Sequence, residues 1–275
     1  MVGADLHIHS TYSDGSYTPF ELIKKAKKKE ITTIAIADHD TVAGVREAII
    51  AGEKENIDLI PAIELSTFRG QAEIHILGYY IDYKDNKLLA KIKEIFAARL
   101  NRARKMVKLL NENGVNITFK QVKNIAGDDY IGRPHIARAM VEAEYIEEMG
   151  EAFTDNYIGN GGQAYVPKYK ISPQEAIRII KNAGGIPVLA HPIFINHGQP
   201  MNFADIKGLV EHGLQGIEVY HSKHNAKDSK YYKKIATELD LLITGGSDFH
   251  GENSPGVEIG DIILKDKYVN QLNNF

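Results

Sequence analysis

Asp5-Leu6-His7-Ile8-His9-Ser10, followed by Asp14 and Gly15, sets two histidines one residue apart within a short apolar run. In an extended strand successive side chains point to opposite faces, so His7 and His9 project together. Two imidazoles on one face, with the Asp14 carboxylate in the following turn, form a donor set suited to a divalent cation. Ser247-Asp248-Phe249-His250 repeats the device near the far end of the chain. Between the two lie Asp38-His39-Asp40, Glu64, His75 and Ala190-His191-Pro192. A lone pair of histidines is weak evidence, because single histidines often serve as hydrogen bonders in cores or on surfaces. Five such places, each closing an apolar run, point to one shared pocket.

At 275 residues the chain suits one large domain, or one domain carrying an insertion. With 43% hydrophobic and 25% charged residues it can bury a sizeable core without staples. There is no cysteine, which excludes thiol catalysis, disulfides and thiolate metal sites and leaves imidazole and carboxylate as ligands. A net charge of −3 argues against broad electrostatic capture of nucleic acid. No apolar stretch approaches the roughly 20 residues needed to span a bilayer, and with the ligand-bearing strand at the start no signal peptide is expected. The expectation is a cytoplasmic protein with no membrane association and no obligate protein partner.

Ala4–His9, Thr33–Asp38, Leu59–Glu64, Ile186–His191, Gly216–His221 and Leu241–Gly246 read as strands covered on both faces, hence parallel. Thr18-Pro19-Phe20-Glu21 and Ser172-Pro173-Gln174-Glu175 have the capping-box spacing with proline at the first helical position. Asp40 or Thr41 can cap a helix running to about Glu55. Strands alternating with helices imply βαβ units, and ligands at the C-terminal ends of at least five strands favour a barrel over an open sheet.

The rhythm breaks after about Asp82. Lys87–Glu112 carries a helical stripe, with shorter helical patterns at Phe119–Ala126, Pro134–Glu142 and Glu147–Tyr157, before Gly159-Asn160-Gly161-Gly162. Residues 82–166 are therefore expected to form an all-helical insertion, or cap, in a discontinuous barrel of residues 1–81 and 167–275. Its charge is lopsided: Lys84–Lys123 holds eleven Lys/Arg against three Asp/Glu, and Asn124–Tyr165 two against eight. A solvated helix face and an electrostatic guide for anions both fit that pattern.

Nine ligand candidates exceed what one ion needs, so they suggest two or three ions. Two ions about 3.5–4 Å apart can hold a hydroxide between them and clamp a phosphoryl group during in-line displacement. In the insertion, Arg133 offers a planar fork suited to phosphate, and Pro134 can open a helix whose amides attract anions. A surface arginine in a capping turn would look the same. His135 reads equally as a core histidine or a phosphate contact. His221, at a strand end, can meet a phosphate oxygen, give a proton to the leaving alkoxide, or support another side chain by a hydrogen bond. Asp38 and Asp40 flank His39 and are expected to point away from it, as supports for the ligands or as caps.

The order H-x-H, Ala37-Asp38-His39-Asp40, Glu64, His75, His191 and Ser247-Asp248-Phe249-His250 resembles the polymerase and histidinol phosphatase (PHP) family, over residues 1–80 and 167–264. The resemblance implies an irregular α/β fold, a (β/α)7 barrel with a trinuclear centre of manganese, iron or zinc. By that likeness His7, His9, Glu64 and Asp248 hold one ion, Asp14, His39 and His250 a second, and Glu64, His75 and His191 a third. The Tyr130–Ala137 motif resembles the branch of phosphatases acting on AMP and nucleoside 3′,5′-bisphosphates, with related 5′-to-3′ exoribonucleases. It implies a small phosphorylated substrate, a nucleotide, as the partner, with short RNA as an alternative. Histidinol phosphatase is the runner-up. Amide or lactone hydrolysis ranks below these, for want of a lysine at a strand end, and a metal-dependent RNA-end binder has no need of the full ligand set.

Overall fold

Seven strands neighbour one another in chain order in a computed structural model of the chain, which describes residues 2–127 and 131–275. They are β1 (Val2–Ile8), β2 (Ile31–Ile36), β3 (Asp58–Arg69), β4 (Ala72–Tyr79), β5 (Ile186–Leu189), β6 (Gly216–His221) and β7 (Leu242–Gly246). Helices α1 (Pro19–Lys28) and α2 (Val45–Glu55) link the first three strands. Helices α6 (Pro173–Asn182), α7 (Phe203–Val210) and α8 (Ala226–Glu238) precede β5, β6 and β7, and α9 (Asp266–Asn273) follows them. The described chain divides into two compact units, Met1–Ala90 with Lys170–Phe275, and Lys91–Tyr169.

Local chemistry accounts for the helix starts. Thr18 accepts from the Glu21 amide while the Glu21 carboxylate accepts from Thr18, so α1 starts where the capping box predicts. Ser172 caps α6 through the Glu175 amide. The expected cap of α2 is different. That helix starts at Val45 after Gly44 with no side-chain cap, and the Asp40 carboxylate instead accepts from the Ser66 amide of β3.

The all-parallel expectation fails at one place. β4 pairs antiparallel with both β3 and β5, because a tight Gly70-Gln71 connection folds β3 and β4 into a hairpin. Glu64 therefore lies inside a twelve-residue strand rather than at its end, and Ser66 pairs with His75. Ala72–Tyr79 was not among the six expected strands.

Two irregularities set which side chains face inward. Ala35, Ala62, Leu77 and Val188 form the interior cluster, and Ala4 and Leu6 pack into it, whereas Ile8 packs with Leu22, Ile23 and Ala26 of α1. Alternation thus reverses along β1, and its register with β2 shifts between Asp5 and Ile8. Such a bulge re-aims a side chain, and here it brings His7 inward after Leu6. A second register shift, between Glu218 and Tyr220, lets both Glu218 and His221 approach His7. The sheet closes through β1 and the segment after β7: the Asp248 amide donates to His7 O at 2.8 Å and the His9 amide to Phe249 O at 2.9 Å.

The second unit has its own core. The rest of α3 (Asn86–Glu112), with α4 (Phe119–Ala126) and α5 (Arg133–Glu142), buries Met106, Leu110, Val122, Ile136 and Met140 around Ile158. The fourth expected helix is only a 3-10 turn at Met149–Phe153, where Gly150 disfavours a longer helix. No helix among the described residues is long and apolar enough to cross a membrane.

Closure makes β7 sensitive to bulk. A Cβ added to Gly246 would lie 2.3 Å from His7 N and 2.4 Å from His7 Cβ, both on the neighbouring strand. Gly246→Ala is expected to cost about 1–3 kcal/mol in urea denaturation; an unchanged midpoint would show that the strands do not approach this closely.

Candidate metal centre

All nine sequence-nominated metal ligands come together in the barrel unit. Glu64, with a side chain 1% exposed, is the hub. Its Oε2 lies 3.3 Å from His7 Nε2, 3.2 Å from His9 Nε2 and 3.1 Å from His39 Nδ1. Its Oε1 lies 3.0 Å from His75 Nδ1 and 3.1 Å from His191 Nε2. Asp248 Oδ1 stands 3.6 Å from His7 Nε2 and 3.3 Å from His9 Nε2. Asp14 receives His250 Nε2 at 3.3 Å and His39 Nε2 at 3.7 Å.

Three histidines have their tautomers set from behind. His7 Nδ1 faces Glu218 Oε1 at 3.0 Å, His191 Nδ1 faces Phe194 O at 3.2 Å, and His250 Nδ1 faces Asp248 O at 2.9 Å. Oxygen acceptors at Nδ1 assign the proton there and leave the Nε2 lone pair for the centre. His221 has the opposite arrangement. Its Nδ1 accepts from the Lys223 amide at 3.1 Å, so Nε2–H faces Asp248 Oδ2 at 3.3 Å.

The donor set fits divalent cations. His7 Nε2, His9 Nε2 and Glu64 Oε2 are buried, mutually close, and without a hydrogen bond among them. The spacings of both histidine nitrogens from Glu64 Oε2 and Asp248 Oδ1, 3.2–3.6 Å, match the edges of a tetrahedron with ligand bonds near 2.1 Å, about 3.4 Å. Two further groups, His9-Asp14-His39-His250 and His39-Glu64-His75, bring ligand atoms within 4.8 Å of one another.

Backbone and loop support are equally specific. His191 (φ 24°) and Asp248 (φ 58°) occupy the left-handed region that non-glycine residues avoid, which costs of order 1–3 kcal/mol each. Asp38 accepts from Ser10 N, Ser10 Oγ and Ser13 Oγ at 2.6–2.7 Å, and so ties down the loop between His9 and Asp14. Asp5, whose carboxyl burial raises to about 6, accepts from the amides of Ser247 and Gly260 and braces the Asp248 segment.

Sequence reasoning missed Glu218, Asp5 and the serine partners of Asp38. Glu218 had a legible signal: a charged residue in the middle of an otherwise apolar buried strand. Lys223 lines a cavity of about 150 Å³ beside His39, Glu64, His75, His191, Phe194, Asp248 and His250. No other Lys or Arg is among the described residues lining that cavity. Arg133 and His135 belong to the helical unit. Arg133 Nη1 donates to Ile158 O and Asn160 Oδ1, both at 3.1 Å, and His135 Nδ1 accepts from the Gly132 amide at the start of α5. Tyr130 of that motif lies outside the described residues.

Residues 5–184 match the PHP domain model. The chain belongs to the PHP family. A 3′,5′-nucleoside bisphosphate phosphatase of Chromobacterium violaceum is 33% identical over 94% of this chain and 91% of that protein. A 5′-3′ exoribonuclease of Haemophilus influenzae is 34% identical over 90% and 89%. A solved structure from Bifidobacterium adolescentis, designated a candidate metal-dependent phosphoesterase, superposes with TM-score 0.84 at 33% identity, covering 98% of this chain and 95% of that one. The PHP chain is a metal-dependent hydrolase with an α/β barrel of the family type.

Electrostatics in the metal-free centre favour protons where cations would sit. Burial disfavours the charged ring, yet Asp248 and Glu64 raise His9 to about 10. Glu64 and Glu73 likewise overcome burial and raise His75 to about 10, and Glu218 and Glu64 raise His7. Burial prevails at His39 and lowers it to about 4. Cation binding at pH 8 should therefore displace at least two protons, those of His9 and His75, and affinity should weaken as pH falls. Calorimetry of Zn²⁺ binding in buffers of different ionisation heat reads that number; a buffer-independent heat would refute it. The metal-free fold has the reverse dependence. For His9 and His75 the contribution is fully present below the usual value of 6.5 and is lost as pH rises through about 10.

Proposed function

We propose that this PHP chain hydrolyses the phosphoester of a small nucleotide, a nucleoside 3′,5′-bisphosphate or AMP. The observation that carries the reading is the convergence of histidine and carboxylate donors on one wall of a small cavity whose lining includes Lys223. The names of the bisphosphate phosphatase and exoribonuclease relatives support a phosphorylated nucleotide as substrate.

His7, His9, Glu64 and Asp248 would hold one ion, Asp14, His39 and His250 a second, and Glu64, His75 and His191 a third, drawn from manganese, iron or zinc. Such ions supply positive charge for phosphoryl oxygens and make water acidic enough to act near neutral pH. Glu64 and Asp248 are held by neighbours so that their oxygens are presented without reorganisation. His221, absent from the cavity lining and directed at Asp248, keeps that carboxylate oriented; the proton for the leaving oxygen then comes from solvent.

Lys223 Nζ stands 4.1 Å from the centroid of the Phe194 ring, and Phe194 is 45% exposed. The ammonium offers a charge-assisted hydrogen bond to a phosphate oxygen, and the ring offers a face on which a base can stack. In the helical unit Arg133, its guanidinium donating to Ile158 O and Asn160 Oδ1, would bind phosphate.

Phosphate release in Mn²⁺ from AMP, a 3′,5′-bisphosphate, histidinol phosphate and 5′-phosphorylated oligoribonucleotides tests the reading. Turnover of the mononucleotides is expected, and release from none of the four would end the proposal. Preference for the oligoribonucleotides would favour the 5′-to-3′ exoribonuclease, the second reading that the Haemophilus relative supports. Lys223→Met is expected to lower kcat/KM by ~10–100-fold with metal content unchanged. Arg133→Ala should raise KM for nucleotides and leave metal binding intact; wild-type kinetics in either variant would refute that residue's role in binding phosphate.

A further inference from the structure

Glu218 has no place in the ligand sets above, yet it is fully buried and both its oxygens are committed. Oε1 lies 3.0 Å from His7 Nδ1, and Oε2 accepts from the His191 backbone amide at 2.8 Å. The two partners belong to different proposed ions, His7 to the first and His191 to the third. One of them cannot change role, because a backbone N–H only donates. The other can, because a neutral imidazole carries its proton on either nitrogen. An ionised carboxylate offers acceptors alone, so it forces the His7 proton onto Nδ1 and frees Nε2 to face Glu64 and Asp248. The same carboxylate pins the amide of a residue whose φ of 24° the chain would otherwise relax.

We infer that Glu218 is a positioning residue that sets the His7 tautomer and the His191 backbone together, presetting two ligands of the cluster through one buried carboxylate. This rests on the proposed metal centre. Its sharpest consequence concerns the nearly isosteric amide. In Glu218→Gln the amide oxygen must go to the His191 N–H, which leaves the NH₂ facing His7 Nδ1. That nitrogen then becomes an acceptor, the ring proton moves to Nε2, and no lone pair remains there for a cation. The opposite rotamer sets NH₂ against the His191 N–H and leaves a buried donor unsatisfied.

The test uses the intact chain loaded with Zn²⁺, a diamagnetic probe. Metal per chain is measured after dialysis, zinc affinity by chelator competition, and His7 ring nitrogens by long-range ¹H–¹⁵N spectra assigned with His7→Asn. In the wild type, His7 is expected to carry its proton on Nδ1 and to coordinate through Nε2. Glu218→Gln should keep its far-ultraviolet dichroism, bind one zinc at least tenfold more weakly and show His7 protonated on Nε2. A role limited to negative charge would weaken zinc but leave the proton on Nδ1, and that outcome overturns the inference. So does wild-type zinc content with an unchanged ring spectrum. Should the variant not fold, the wild-type spectrum decides, since coordination through His7 Nδ1 refutes the assignment. Failure of the wild type to bind zinc refutes the metal centre itself, whereas the other negative results refute only the role of Glu218.

Discussion

A carboxylate sealed from solvent and ringed by five imidazoles is the constraint around which this barrel is arranged. Glu64 receives nitrogens of His7, His9, His39, His75 and His191 within 3.0–3.3 Å. Burying an ionised carboxylate costs several kcal/mol unless positive charge surrounds it. Burial alone would raise the Glu64 carboxyl, yet the surrounding imidazoles hold it well below its usual range. Cations bound there would supply the positive charge that this buried carboxylate demands.

Holding that ring of donors in place recruits features that would be liabilities elsewhere. Register shifts interrupt β1 and β6, and two non-glycine residues take left-handed backbone at His191 and Asp248. Each is restrained by specific contacts: Glu218 at the His191 amide, and His7 O and His221 at Asp248. Asp38 and Asp5 play the same part for the loops that carry Asp14 and Asp248. Irregular backbone at ligand-bearing residues, each held by specific contacts, is characteristic of a preorganised site.

Much of this was legible before any coordinates. The capping boxes of α1 and α6 depend on residues three apart and are therefore local. The inward grouping of His7 and His9 follows from strand alternation, and the helical stripe of α3 from its period. What escaped is non-local. The β3–β4 hairpin was hidden because Glu64 was expected to end its strand, whereas continuation to Arg69 lets His75 arrive from the opposite direction. Asp40 looked like a cap in sequence and bonds a neighbouring strand in space. Glu218 was overlooked because its partners, His7 and His191, lie 211 and 27 positions away.

Barrel closure also has a temporal side. The Ser247 amide meets the Asp5 carboxylate across 242 positions, and the segment that follows carries Asp248 and His250. During vectorial synthesis the early histidines emerge long before those two donors exist. Contacts of such span form late, so the donor set is completed only when the last strand docks.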